Sequence, residues 1–452
     1  MAVELSDDVP GPRAAGRVAD EPVIRVVDPL AGRHVLVVGI NYAPEPTGIA
    51  PYTTRMAEHL ATRAAGVEVL AGLPHYPHWQ VDARYRHRRR TTEPRRNPQA
   101  PQVRRLWHYV PGTQTAATRA GYELTFLAHA LASRPRQRPD LVVAVTPSLG
   151  GAVAGARIAQ RHGARLVVVV QDLMAKAAGQ SGISGGGAVA GTTARLEGYA
   201  LRRADQVVVV SEAFRPAVRA YGVPDERIAL LPNWTHITPS PVGRDEARAA
   251  LGWRADRFVV AHTGNMGLKQ DLGTVVEAAR LLPDGVEVLF VGDGSQRRVL
   301  EGRAAGVPGV RFVDPLDDVQ YPLALAASDL LLVNERPTVG DMSLPSKLTS
   351  YLSAGRPVLA AVAPDGATAA ELARTRGAGL VVSPGDPVLL ARSILELHAD
   401  EVLRTAMGRA GWRYAHARLD EGASMMRLDG ILDRLLAPPA LPRQQPRAEA
   451  AR

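Results

Sequence analysis

From His34 onward the chain alternates short apolar runs with stretches whose apolar residues recur at helical spacing. The runs are His34–Val38, Val67–Leu70, Val103–Leu106, Leu141–Val145, Leu166–Val170, Gln206–Val210 and Ile228–Leu231. A second series follows at Phe258–Thr263, Val286–Val291, Val310–Phe312, Leu330–Val333, Val358–Val362 and Gly379–Val382. Runs that are apolar nearly throughout, and not only at every second position, predict strands covered on both faces; the helices between them predict parallel pairing. Two doubly wound α/β domains follow. Three closing segments, Pro387–His398, Glu401–Arg418 and Glu421–Leu436, read as helices, and the pattern leaves open which domain each packs on.

The polar, Pro-containing stretch after Pro232-Asn233-Trp234 marks a boundary: a first domain over 34–236, a linker over 237–256 and a second domain over 257–437 that includes the closing helices. A hinge is expected near Thr235–Arg257. Residues 1–33 and 438–452 are polar and Pro-rich without periodicity and are predicted to be disordered tails.

The absence of Cys from all 452 residues excludes disulfide frameworks, thiolate metal sites, iron–sulfur clusters and cysteine nucleophiles. No apolar run reaches the ~18–20 residues of a membrane-spanning helix, and residues 1–30 carry acids but no apolar core, so a cytoplasmic protein without a signal peptide is expected. The net charge of +9 would suggest nucleic acid or anionic lipid, but it is concentrated. Between Arg84 and Arg105 lie nine arginines and one acid, Glu93, and the rest of the chain is nearly neutral. No specific nucleic acid is expected. Of the 54 Lys and Arg residues only three are lysine, Lys176, Lys269 and Lys347. Where almost every exchangeable ammonium has become a guanidinium, the survivors point to places that need a compact, rotatable charge.

Four stretches carry candidate chemistry. The loop after the first strand, Asn41-Tyr42-Ala43-Pro44-Glu45-Pro46-Thr47-Gly48, lies where doubly wound sheets bind ligands, and Gly48 lets backbone N–H groups approach one; the alternative is a Pro-rich turn. It lacks the G-x-G-x-x-G spacing, which disfavours hydride transfer. The second domain opens alike, with Gly264-Asn265-Met266-Gly267-Leu268-Lys269 after its first strand. Small residues, an ammonium and a helix N-terminus make an anion site suited to a diphosphate, unless Lys269 is a solvated helix start. In Met342–Val358, Pro345 suits a first helical turn and Gly355 a C-terminal cap. A helix of about ten residues would aim Ser346 and Lys347 at the carboxyl edge of the second sheet; the alternative is an ordinary crossover helix. In Leu73–Trp79, Tyr76 and Trp79 suit sugar stacking, and His75 serves as a general base only if a reacting hydroxyl comes within reach; a loop packed on its own domain is the alternative.

Taken in order, these motifs form a longer pattern: Tyr-Ala-Pro-Glu-Pro-Thr-Gly (42–48), Leu-Pro-His-Tyr-Pro (73–77), Val-Thr-Pro-Ser-Leu (145–149), Gln-Asp-Leu (171–173), Val-Ser-Glu (210–212), Leu-Pro-Asn-Trp (231–234), the Gly264–Lys269 loop, Val-Gly-Asp-Gly (291–294) and Pro-Ser-Lys (345–347). The pattern resembles the family 4 glycosyltransferases, and among them the colanic-acid-type exopolysaccharide enzymes, from His34 to Leu395. The resemblance implies a GT-B fold, two Rossmann-like domains facing across a cleft. It also implies a retaining hexosyl transfer, with no metal or cofactor, from a nucleotide-sugar to a lipid-linked or polysaccharide acceptor. By the same likeness Gly264, Asn265, Lys269, Ser346 and Lys347 would hold the donor diphosphate, and Gly48 would close over the sugar phosphate. Gly292, Asp293, Gly294, Glu335 and Asp341 would lie about the nucleotide. Asp172 would orient the sugar or acceptor, with a helix cap as the alternative.

The chain departs from its relatives where many carry two Glu, at Met342 and Ser350. It also has Gln171 in place of a His, and Asn265 with Lys269 in place of a Gly-Arg-plus-Lys set. The implied acceptor, an undecaprenyl-diphosphate-linked saccharide, gives the basic stretch a reading. Arg88, Arg89, Arg90 and a helix over Gly112–Ser133 would meet anionic lipid at the inner face of the cell membrane, at about 1 kcal/mol per charge, the alternative being a solvated arginine loop. Two other functions fit the same residues. One is a GT-B sugar-nucleotide epimerase, which needs no acceptor; the other is a polyanion-binding protein on a decayed glycosyltransferase body, suggested by Met342 and Ser350.

Overall fold

The apolar runs form strands β1 (His34–Val38), β2 (Gly66–Gly72), β3 (Arg90–Thr92), β4 (Gln102–Leu106), β5 (Leu141–Val145), β6 (Arg165–Val170), β7 (Gln206–Val209) and β8 (Ile228–Leu230). Strands β9 (Phe258–Thr263), β10 (Val286–Val291), β11 (Val310–Val313), β12 (Leu330–Asn334), β13 (Val358–Ala361) and β14 (Gly379–Val382) follow. The computed structural model describes residues 28–437 apart from 47, 114, 175–185, 236 and 339–343, with backbone only for 186–189. The first sheet has the order β3-β4-β2-β1-β5-β6-β7-β8 and the second β11-β10-β9-β12-β13-β14. Every pairing is parallel except β3 on β4.

Helices α1 (Ala50–Arg63), α2 (Ala116–Leu131), α3 (Leu149–His162), α4 (Gly186–Arg203) and α5 (Arg215–Ala220) belong to the first sheet. Helices α6 (Arg244–Leu251), α7 (Leu272–Ala279), α8 (Arg297–Ala304), α9 (Gln320–Ala327), α10 (Lys347–Ser353), α11 (Ala367–Arg374), α12 (Pro387–Ala399), α13 (Glu401–Arg418) and α14 (Glu421–Leu436) follow. All five residues of β5 and all six of β9 are buried, as strands covered on both faces require. The strand order reverses beside β1 and beside β9, so the carboxyl ends of those strands open onto a crevice in each sheet.

Three boundaries differ from the sequence expectation. The tail predicted to reach residue 33 ends earlier, because Leu30 is fully buried and Asp28 holds Arg63 at 2.6 Å; residues 1–27 and 438–452 lie outside the described residues. The linker predicted over 237–256 contains α6. Its polar sequence hides two buried positions, Ala247 and Arg248, and Arg248 donates to Ala327 O at 2.9 Å and pairs with Asp329. Trp253 packs in the same core, so this stretch belongs to the second domain. The last helix, α14, leaves the second domain and lays Met425, Leu428, Ile431, Leu432 and Leu436 on the first domain's core. Arg63 reaches Asp433 at 2.7 Å and His59 reaches Asp429 at 2.8 Å across that contact. The chain therefore crosses between domains twice, and the crossings touch: Thr235 N–H donates to Leu419 O at 2.9 Å.

The basic stretch is divided by the fold. Strand β3, which no apolar run announces, pairs antiparallel with β4 and carries Arg90. Arg105 is buried beneath it. It donates to Glu93 Oε1 at 2.7 Å, to Gly72 O at 3.2 Å and to Ala43 O, and lies 5.7 Å from the Tyr42 and Tyr85 ring centres. Arg104 pairs with Glu68. Arg84, Arg86, Arg88, Arg89, Arg90, Arg95 and Arg96 remain exposed. Arg105→Ala should therefore cost about 3 kcal/mol in urea unfolding, because a paired charge and two backbone carbonyls lose their partner. Arg88→Ala should stay within about 0.5 kcal/mol of the parent protein.

Candidate active site

One buried carboxylate organises the first wall of the crevice. Glu45 Oε2 accepts from Asn41 Nδ2 at 2.8 Å, and Oε1 accepts from the backbone N–H groups of His75 and Tyr76 at 2.8 and 3.0 Å. The loop after β1 is thereby tied to the loop after β2. Gly48 has φ +70°, and a Cβ there would stand 3.0 Å from the Tyr76 ring, so glycine is what lets these loops touch. His75 Nδ1–H donates to Leu73 O at 2.8 Å, which leaves Nε2 to accept from the Tyr122 hydroxyl at 3.2 Å. Burial among Trp79, His108 and Tyr122 holds the imidazole below its ordinary pKa. With both nitrogens engaged, His75 positions Tyr122 and offers no free base.

Helix α2 adds two charged residues one turn apart. The Arg119 guanidinium sits 5.1 Å from the Trp79 ring centre and 4.8 Å from that of Tyr122. Glu123 Oε2 accepts from Gly150 N–H at 2.8 Å and Ser148 Oγ at 3.2 Å, at the start of α3. Burial pushes the Glu123 carboxyl up, against Arg119. At the end of β6, Gln171 Oε1 accepts from Asn233 Nδ2 at 2.7 Å, so the Leu-Pro-Asn-Trp motif steadies the Asp172 turn. Burial raises Asp172 to about 6, and the Lys269 ammonium pulls it back. The segment that Asp172 would cap lies largely outside the described residues.

The second wall is built from glycine contacts. A Cβ on Gly292, at φ +133°, would fall 2.3 Å from Gly264 O, and one on Gly294 would fall 2.5 Å from Met266 O. The Val-Gly-Asp-Gly turn thus seats the loop after β9, and Met266 N–H donates to Asp293 O at 2.8 Å. Asp293 Oδ1 accepts from Gly294 N–H at 2.7 Å, and the Asn265 side chain packs against Gly267 and Gly294. Lys347, at the first position of α10, donates from Nζ to His262 Nε2 at 2.9 Å and lies beside Gly264. Burial brings Lys347 down to about 7 although the Glu335 carboxylate opposes it. Burial brings Glu335 up to about 7 against the Thr368 hydroxyl, which donates at 3.1 Å, and against Lys347 and Lys269.

Helix α10 has seven residues, fewer than expected, because Pro345 and Ser346 form a turn before it. Ser346 is exposed, and Ser350 is buried against the Tyr321 hydroxyl. Asp341, Met342 and Lys176 lie outside the described residues.

The walls meet around a cavity of about 310 Å³. Gly48, His75, Tyr76, Trp79 and Asp172 line it from the first domain, together with Arg119 and Glu123, and Lys269 enters from the second. Lys347, Glu335, Gly264 and the Gly292–Gly294 turn do not line this cavity; Lys347 lies beside Gly264, and Glu335 is within charge reach of both Lys347 and Lys269. Arg88, Arg89 and Arg90 lie on the exposed hairpin and do not line the cavity. Sequence reasoning passed over Glu45, Arg119, Glu123 and His262. The available signals were a Glu flanked by prolines and the three- and four-residue spacing of Arg119, Tyr122 and Glu123 on one helix face.

Residues 47–234 match the family model of the glycosyl transferase 4-like domain, and residues 257–400 that of the glycosyl transferases group 1. The putative colanic acid biosynthesis glycosyl transferase WcaI of Escherichia coli K12 is 32% identical over 336 residues, 71% of this chain and 81% of that protein. Alr3699/HepE of Anabaena, solved in complex with UDP, shares the fold with a TM-score of 0.64 at 19% identity, over 89% of this chain and 100% of that one. Sucrose-phosphate synthase of Thermosynechococcus elongatus does so with a TM-score of 0.68 at 19% identity, over 90% and 99%.

The facing of Asp172 and Lys269 has a direct readout. Removing the ammonium in Lys269→Ala should move the Asp172 carboxyl titration above its value of about 6, followed by carbon-13 NMR of the aspartate carboxyls. An unmoved midpoint would mean that the two groups do not face each other.

Proposed function

Because the chain belongs to the family 4 glycosyltransferases of GT-B fold, we propose that it transfers a hexosyl group from a nucleotide-sugar to a lipid-linked or polysaccharide acceptor, retaining anomeric configuration and using no metal or cofactor. The observation that carries this reading is the shared cavity, in which Asp172 of one domain and Lys269 of the other line a single space. A transferred sugar needs a positioned acceptor on one side and a stabilised leaving group on the other.

In this reading the donor diphosphate lies between Gly264, Asn265, Lys269, Ser346 and Lys347. Gly292–Gly294 and Glu335 surround the nucleotide, and Gly48 with Tyr76 closes over the sugar phosphate. An arriving diphosphate restores to Lys347 the charge that burial disfavours. The acceptor hydroxyl then attacks the anomeric carbon from the face the phosphate is leaving, and the departing phosphate oxygen takes its proton. Asp172, ionised above about pH 6, orients the sugar or that hydroxyl. Support for the donor class comes from relatives: HepE is also solved with UDP-glucose, and a Corynebacterium glutamicum relative, 28% identical over 208 residues, is named as a GDP-mannose-dependent mannosyltransferase.

The acceptor reading is an undecaprenyl-diphosphate-linked saccharide, met from the cytoplasm at the membrane's inner face. Among the described residues no helix is long and apolar enough to cross a membrane. The exposed arginines of the hairpin, Arg88, Arg89 and Arg90 among them, are the surface that would meet anionic lipid. The polyanion-binding alternative is weakened because Arg104 and Arg105 are taken up inside the fold.

UDP-, GDP-, ADP- and dTDP-sugars should be screened by thermal shift. One nucleotide class at ~100 times its Kd should stabilise the protein by about 2.7 kcal/mol, and Lys269→Ala and Lys347→Ala should each lose the shift. Turnover should require an acceptor; acceptor-independent conversion of the donor would favour the epimerase. Lys347 is charged below about pH 7, and Glu335 becomes charged above it, so the site loses positive charge as pH rises. One linked proton weakens donor binding about tenfold from pH 6 to 8, and a constant Kd would contradict the placement of Lys347.

A further inference from the structure

We infer that Arg119 is the anion-recognising residue of the acceptor wall, so that the sugar accepted there carries a phosphate or a carboxylate. This rests on the glycosyl-transfer reading of the cavity and adds the charge class of the acceptor.

Among the described residues lining the cavity the first domain supplies two carboxylates, Glu123 and Asp172, and one cation, with the Glu45 carboxylate tying together the loops behind them. Each carboxylate has partners other than Arg119. Glu45 is held by three N–H donors, Glu123 Oε2 by Gly150 and Ser148, and Asp172 faces Lys269. Arg119 is different: its guanidinium carbon lies over the Trp79 and Tyr122 rings, and its side chain is 30% exposed. The carboxylate oxygen nearest to it, Glu123 Oε1, stands 3.9 Å away, beyond hydrogen-bond reach. That oxygen is itself buried and has no hydrogen-bond partner.

A guanidinium held over aromatic rings by cation–π attraction spends no N–H donor on them, and those donors can bind a planar or tetrahedral anion through two parallel hydrogen bonds. Burial pushes Glu123 towards its neutral form, which weakens its hold on the guanidinium. A sugar anion on Arg119 would leave a ring hydroxyl to serve Glu123 Oε1 and a ring face to lie on Trp79. Two sources supply that chemistry, a phosphate ester such as that of a lipid carrier and a uronate carboxylate.

The test uses the full chain and three probes, methyl glucoside, glucuronate and glucose 1-phosphate, with binding followed by ligand-observed NMR. The parent protein and Lys347→Ala should each bind at least one anionic sugar tenfold or more tighter than methyl glucoside. Arg119→Gln should lose that preference at an unchanged melting temperature. Arg119→Lys should recover it only in part, since an ammonium lacks the fork. Preference for glucuronate would identify a carboxylate, and preference for glucose 1-phosphate a phosphate; either supports the assignment. Equal affinity for all three, or a preference that survives Arg119→Gln, overturns it. If Arg119→Gln does not fold, Arg119→Lys decides alone: a reduced preference supports the assignment and an undiminished one overturns it. The nucleotide-sugar thermal shift on the same proteins separates the two proposals. A shift kept in Arg119→Gln while the anion preference is lost supports the acceptor-side placement. A shift absent from the parent protein counts against glycosyl transfer while the sugar anions still report on Arg119.

Discussion

The contact between Thr235 and Leu419 is the constraint from which the cleft follows. The chain leaves the first domain at one and returns from the second at the other, and the backbone hydrogen bond between them places both passages side by side. Helix α14 then locks its apolar face onto the first core, with Arg63 and His59 pairing along its edge. Two sheets joined at these crossings, and touching again where Ala367 of the second domain packs into the first core, leave a crevice at their carboxyl edges. Every group of the candidate site stands at the end of a strand or in the loop that follows, or on a helix facing that crevice.

Within the crevice the governing effect is desolvation of charge. Lys347, Glu335, Asp172 and Glu123 are each pushed towards neutrality by burial, and each is pulled back by an opposite charge nearby. Charges held in that way are not stabilising the fold to any large degree, since burial offsets most of what their pairing gains. They are suited to a ligand that brings the missing counter-charge with it. Glu45 has a different part: held by three N–H donors, it ties two loops together.

The sheets were legible because strands buried on both faces must be apolar throughout, and the limits of β1, β5, β9, β10 and β14 follow the runs residue for residue. Strand β3 was not, since three residues of Arg and Thr on a sheet edge bury too little to leave a pattern. Helix α6 was read as linker for the same reason, with Ala247 and Arg248 as its buried residues, and the Asp28–Arg33 turn rests on one apolar residue, Leu30, and the Asp28–Arg63 ion pair. In the site, rarity was the signal: Lys269 and Lys347 stand out among arginines, and the fold places Lys269 on the cavity and Lys347 against His262 beside Gly264. Arg119 does not stand out, because its role comes from two aromatic rings that only the fold brings to it.

The central claim is that the two domains act on one substrate through groups that face each other across the crevice. A double-mutant cycle on the transfer rate with Asp172→Asn, Lys269→Ala and the pair tests it most directly. Groups that share one substrate should show a coupling energy of about 1 kcal/mol or more, the second mutation costing much less once the first is made. Losses that simply add would contradict the account, because they would mean that Asp172 and Lys269 act at separate places.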